Sequence, residues 1–76
     1  MMGTMTLPPP SIRQRLAANV KRLRQERTWS QEDLAARAQL HHNQISSIER
    51  SLTSVGIDIV EKLALAFGVS AGELLD

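Results

Sequence analysis

The apolar residues of this chain return at helical spacing almost from end to end, and that pattern leaves few folds open. Ile12, Leu16, Val20 and Leu23 make one stripe, and Val60, Leu63, Ala64 and Phe67 make another at i, i+3, i+4 and i+7. No segment alternates apolar and polar residues for long enough to argue a strand. Helix-start chemistry precedes the stripes: Ser11 with Gln14 three residues on, and Ser70 with Glu73, are capping-box pairs. Ser30 opens a second helix with Asp33 in its first turn, where a carboxylate complements the helix dipole. A third helix is expected over about His42 to Arg50, with Ile45 and Ile48 inward. A fourth is expected over Ile57 to Phe67, capped by Gly68. A short fifth helix after Ser70 carries Leu74 and Leu75. The expected fold class is all-α, a bundle of five short helices.

A chain of 76 residues has room for one small domain. Such a domain buries only about 60% of its unfolded surface, so its core is thin and a second copy is a natural supplement. Residues 1–10 end in Pro8, Pro9 and Pro10, which favours an extended, disordered tail, and residues 11–76 hold the helices. The absence of cysteine excludes disulfides and thiolate metal sites. No apolar run approaches the roughly 18 residues of a membrane span, and the N-terminus does not read as a secretory signal. The simplest location is the cytoplasm, with no membrane partner.

Net charge is +1, but its distribution is uneven. Arg13, Arg15, Lys21, Arg22, Arg24 and Arg27 face only Glu26 in the first helix and its turn, whereas the C-terminal third is acidic. A basic end suits phosphate, with the acidic end turned away, although incidental bias on a solvated face gives the same count.

The informative stretch is Gln31 to Arg50, QEDLAARAQLHHNQISSIER, two short helices joined by a tight turn. Ala35 is small where the second helix crosses the first, Leu40 fills the space under the turn, and Ile45 and Ile48 anchor the second helix. The other face of that helix is His42, Asn43, Gln44, Ser46 and Ser47. It is uncharged and rich in groups that both donate and accept hydrogen bonds, which suits base edges in a major groove.

Gln31, Ala35, Leu40, Ile45, Ile48 and Glu49 stand in the order and spacing of a known pattern. The stretch resembles the helix-turn-helix of the lambda-repressor-like superfamily, specifically the Cro/CI-type or XRE family. Leu23-Arg24 and the segment from Val60 to Ser70 resemble that family's flanks, so the likeness spans about residues 12–75. It implies a five-helix DNA-binding domain acting as a transcriptional regulator. It further implies that Asn43 reads a base with Gln44 beside it. Ser30, Gln31, Arg24 and Arg50 would touch phosphate, and Arg24 and Glu49 would form a structural ion pair. Trp29, read alone, suits a stacking platform; the family position makes it core. Four positions depart from the pattern. Gln39 and Ser51 stand where Gly is common, Val55 where Pro is common, and His41 where Ser or Thr caps the helix.

The partners expected are double-stranded DNA and a second copy of the chain, with no small-molecule substrate. Leu74 and Leu75 cannot both face one thin core, so the dimer contact is expected at Val55, Val69, Leu74 and Leu75. No cofactor is implied. Adjacent His41 and His42 diverge on a helix and have no third ligand at metal spacing, so no metal site is expected. No elbow motif, phosphate loop or carboxylate pair suggests an enzyme. The arrangement resembles phage repressors and restriction–modification controllers, and the run from Glu49 to Leu63 leans toward the controller type. The alternative from another class is a protein-interaction module such as an antitoxin, supported by the low net charge and acidic C-terminal part.

Overall fold

The computed structural model describes residues 8–76. Five helices follow in order: α1 (Ile12–Glu26), α2 (Gln31–Ala38), α3 (His42–Glu49), α4 (Ile57–Phe67) and α5 (Ala71–Leu75). The all-α, five-helix expectation is met, with α2 and α3 as the helix-turn-helix. Most of the expected N-terminal tail lies outside the described residues.

Each helix starts where the sequence offers a cap. The Ser11 hydroxyl accepts from the Gln14 N–H while Gln14 Oε1 accepts from the Ser11 N–H. Ser30 and Asp33 make the same reciprocal pair on α2, both bonds at 2.9 Å, and Ser70 and Glu73 make it on α5. Only α4 lacks a side-chain cap, because Gly56 precedes it.

The helix ends share one geometry. The residue just past α1 (Thr28), α2 (Gln39), α3 (Ser51) and α4 (Gly68) has φ between 56° and 71°. The N–H of the following residue then reaches back five positions: Trp29 to the Arg24 carbonyl, Leu40 to Ala35, Leu52 to Ser47 and Val69 to Ala64. This is a Schellman ending, and in all four an apolar residue stands after the left-handed one. Glycine supplies that conformation freely only at Gly68; the other three positions are strained.

One side chain from every helix is fully buried: Val20, Leu34, Ile45, Leu63 and Leu74. α1 packs on α3, α4 and α5, and α2 packs on α3 and α4. A secondary cluster closes the α1–α2 corner. Trp29 stacks on Phe67 with centroids 5.7 Å apart, and the Arg37 guanidinium lies 4.2 Å from the Trp29 ring centre. Trp29 therefore packs against the core, as the resemblance implied.

Two sequence-based expectations are corrected here. Ile12, expected in the apolar stripe, is 56% exposed because it is the first residue of α1 and lies beyond the reach of the core. Leu74, expected at a dimer contact, is wholly buried in the chain's own core, leaving Leu75 as the half-buried member of the pair.

The strained endings give a direct test. Gln39→Gly is expected to stabilise the fold by about 0.5–1 kcal/mol, the left-handed penalty less the extra chain entropy of glycine. Thr28→Gly should gain at least as much, because a branched Cβ is worst placed at positive φ. Thermal unfolding should show a rise of a few degrees in each case; a fall for both would mean that these ends carry no strain.

Candidate nucleic-acid interface

The helix-turn-helix is held by one buried network. Arg24, near the end of α1, lays its guanidinium against Glu49, the last residue of α3. Nε stands 2.7 Å from Oε2 and Nη2 stands 2.9 Å from Oε1. Nη1 donates to the Trp29 carbonyl at 2.8 Å. Gln31, at the start of α2, donates its side-chain N–H to Glu49 Oε1 at 3.2 Å. The Arg24 and Glu49 side chains are only 13% and 2% exposed. The network thus ties α1, the α1–α2 turn, α2 and α3 through a single carboxylate. Bidentate pairing to Glu49 raises the pKa of Arg24 against the opposing effect of burial. Its stabilising contribution is present below the ordinary arginine range and is lost only as pH rises through that raised value.

This geometry sorts the expected roles of Arg24. The ion pair with Glu49 is present. For the second role, at phosphate, Nη1 and Nη2 each keep one uncommitted hydrogen, on a side chain that is only 13% exposed. Gln31 is divided: one amide hydrogen is committed to Glu49, and the group stands half-buried at the α2 N-terminus. Beside it, the Ser30 backbone N–H and hydroxyl hold Asp33 below the usual carboxylate range. That contribution is complete above the ordinary aspartate pKa and is lost as pH falls through the lowered value.

On α3, His42 and Asn43 are exposed and point no hydrogen bonds inward, whereas Ser46 and Ser47 are half-buried. Gln44 is exposed but partly engaged: its Oε1 accepts from the His41 N–H at 2.8 Å. His41 is the N-cap. Its Nδ1 accepts from the Asn43 N–H at 3.1 Å, so an imidazole does the work of the customary hydroxyl. The His41–Gln44 spacing repeats that of Ser11–Gln14, a signal present in the sequence.

Asn43, Gln44 and Ser47 form one side of a cleft of about 240 Å³. Thr53 and Ser54, in the loop after α3, form the other, with the more buried Ile48 among the lining residues. Arg13 reaches this loop from α1 and donates to the Ser54 hydroxyl at 2.9 Å. Nothing in the sequence connects those two residues, which lie 41 positions apart. Arg50 caps the C-terminus of α3 with its side chain exposed.

The basic bias of α1 has a largely internal cause. Arg15 donates to the Leu75 carbonyl, Arg27 to those of Leu23 and Phe67, and Arg24 to Glu49. Arg22 pairs with Glu26. Among the described residues, no group of three His, Cys, Asp or Glu side chains is placed to hold a metal ion, and no helix is long and apolar enough to cross a membrane.

The sequence profile of the helix-turn-helix family HTH_3 matches residues 20–74, which include all of α2, α3 and α4. The crystal structure of a hypothetical transcription factor, NHTF, from Neisseria superposes with a TM-score of 0.84 at 35% identity, over 96% of this chain and 90% of that one. The control protein C.BamHI of Bacillus amyloliquefaciens is 39% identical over 67 residues, 87% of this chain and 83% of its own. The restriction–modification controller protein C.AhdI from Aeromonas hydrophila superposes with a TM-score of 0.78 at 27% identity, over 82% of this chain and 94% of that one.

The network predicts strong coupling. Arg24→Ala leaves a buried carboxylate with only Gln31 as partner and is expected to cost about 3–5 kcal/mol. Glu49→Gln in that background should recover part of the loss, because it removes the uncompensated charge. Denaturant unfolding of the single and double variants checks this; strictly additive losses would show that the two groups do not interact.

Proposed function

This chain belongs to the HTH_3 family of helix-turn-helix DNA-binding transcriptional regulators, with the lambda-repressor-like fold, and from that premise we propose that it binds an operator as a homodimer. The observation that carries the reading is the α3 face. His42, Asn43 and Ser47 present uncharged donors and acceptors on a helix whose other side is fixed by Ile45, Ile48 and the Glu49 network. A rigid helix with a polar, uncharged face is the form that reads base edges in a major groove. Asn43 is assigned to a base, with His42, Ser46 and Ser47 beside it. Gln44 contributes its free amide hydrogens, since its oxygen serves the cap. Ser30, Gln31 and Arg50 are assigned to phosphate, with the exposed N–H groups of α2 supplying part of that contact.

A second copy is argued from the surface beyond the loop after α3, where Ser54 and Val55 adjoin the α3 cleft. Two apolar clefts share Ile57, Val60 and Leu75; Ile12 and Val55 line one, and Leu65 and Val69 line the other. Ile57 is 83% exposed and Leu65 75%, an unusual state for two large aliphatic side chains on one thin domain. Arg13 borders the first cleft, and Asp58 and Glu61 border the second, so a two-fold pairing can set opposite charges together. Val55, Val69 and Leu75 thus remain in the proposed dimer contact, Leu74 leaves it, and Ile57 and Leu65 enter it. Two half-sites then lie about one helical turn, roughly 34–36 Å, apart. Of the similar proteins, C.AhdI is a restriction–modification controller by name and C.BamHI a control protein. We place the chain with that type, acting on a promoter through its own concentration.

The roles separate experimentally. Asn43→Ala should cost about 1–3 kcal/mol on a selected operator and relax preference at one base pair. Gln31→Ala should weaken binding to every sequence alike without changing its salt dependence, because no cation is lost. Arg50→Ala should make the salt slope shallower by about 0.9 per protomer. Affinities for the operator and its single-base variants at two salt concentrations read all three. If Asn43→Ala weakens all sequences equally, α3 does not read DNA and the protein-interaction reading takes over. Ile57→Asp is expected to give a folded monomer in sedimentation; an unchanged dimer would move the interface elsewhere.

A further inference from the structure

The terminal helix α5 has five residues, too few to sustain itself, and its last carbonyls have no partners within the helix. Two side chains of α1 take them. Asn19 donates from Nδ2 to the Leu74 carbonyl at 2.9 Å and to the Asp76 backbone oxygen at 3.3 Å. Arg15 donates from Nε to the Leu75 carbonyl at 3.1 Å. The same guanidinium turns Nη1 to the Pro10 carbonyl at 2.6 Å. One cation therefore bridges the segment before α1 and the end of α5, which are far apart in sequence. Placing a cation at a helix C-terminus also meets the negative end of its dipole.

What this fork holds is the edge of the apolar face. Leu75 lines both apolar clefts, and Ile12, just after the Pro10–Ser11 link, lines one. The core beneath does not depend on the fork, because Leu74 is fixed by burial. We propose that Arg15, seconded by Asn19, is the positioning residue of the self-association surface: it sets Leu75 and the start of α1 in the register that a second copy of this chain meets. The inference rests on the dimer reading above and adds its control point. Arg15 makes no hydrogen bond to Glu49 or to the α3 face, so a change there is expected to act on assembly and not on base reading.

The test compares the full chain with Arg15→Gln and Arg15→Lys in sedimentation across a concentration series. Unfolding is followed alongside at concentrations where the chain is monomeric. Arg15→Gln is expected to raise the dimer dissociation constant about tenfold, the equivalent of about 1.4 kcal/mol, with monomer unfolding shifted far less. Arg15→Lys keeps the charge but cannot fork to two carbonyls, so it should restore little of the loss. Asn19→Ala, which frees the same helix end from the other side, should weaken assembly in the same direction and serves if Arg15→Gln unfolds. A wild-type dimer whose constant moves less than twofold in Arg15→Gln and in Asn19→Ala overturns this inference alone. Full rescue by Arg15→Lys would assign the effect to charge and overturn the fork. A wild-type chain that stays monomeric, with and without DNA, overturns the dimer reading and this inference together.

Discussion

Everything on the presumed DNA side of this domain depends on the carboxylate of Glu49. It terminates α3, it is the most deeply buried charge described in the chain, and it accepts from both Arg24 and Gln31. A buried ion pair adds little net stability compared with an apolar substitute, because desolvation offsets most of the attraction. Its value here is geometric. Two forked hydrogen bonds add a directional constraint on the orientation of α3 to the packing of Ile45 and Ile48. A recognition helix that rolls presents a different face, so the orienting network is the condition for any base-specific contact. Gln31 joins the start of α2 to the same carboxylate, which makes the presumed phosphate contact and the presumed base contacts parts of one rigid body.

The helix ends show how a thin core is closed with glycine at only one of four turns. Four successive helices stop in the same Schellman turn, and each turn places an apolar residue, Trp29, Leu40, Leu52 or Val69, directly after the left-handed one. Three of those four residues pack against the core, and Leu52 alone remains exposed. Three of the turns are built on Thr, Gln and Ser at positive φ. The strain is tolerated because each turn satisfies helix carbonyls, and those at Thr28 and Gln39 also seat Trp29 and Leu40 against the core. The chain thereby trades some stability for turns that carry side chains, such as the Thr28 hydroxyl, which donates to the Arg27 carbonyl.

The helices were legible in the sequence because their caps and apolar stripes are local, and both are set by residues within four positions of one another. The α2–α3 pattern was legible for the same reason, and the Arg24–Glu49 pair was reached through family resemblance, not through anything in the spacing. What stayed hidden is long-range. Whether Leu74 or Leu75 points inward is decided by where α5 lies on α1, and no periodicity exists in five residues to reveal it. Ile57 and Leu65 read as ordinary members of an apolar helix until the packing of α4 shows which side is spent on the core. Gln44 looked like a free amide because its commitment to the cap depends on the backbone angle at His41. The sequence did contain that signal, as a repeat of the Ser11–Gln14 spacing with an imidazole in place of a hydroxyl.

Charge is where composition misled most, and the reason bears on mechanism. A cluster of arginines in the first helix suggests a phosphate-binding face, yet three of them serve as caps or ion-pair partners for other parts of the chain. Arg27 closes the end of α4 on Phe67, Arg15 closes the end of α5 on Leu75, and Arg24 holds α3. The long central helix thus acts as a rack of guanidinium groups that neutralise the negative ends of its neighbours. Arg24 is neutralised by Glu49, whereas Arg15 and Arg27 keep their charge but hold it at helix ends of this chain. On the proposed reading, the phosphate contacts of each protomer therefore come mostly from neutral donors, namely the α2 N–H groups, Ser30 and Gln31, with Arg50 as the cation. Affinity would then depend less on salt than the six basic residues suggest, and a larger share of it would rest on base contacts and on pairing two half-sites. On the same proposed reading self-association is part of recognition, because pairing two half-sites adds contacts that a single copy lacks.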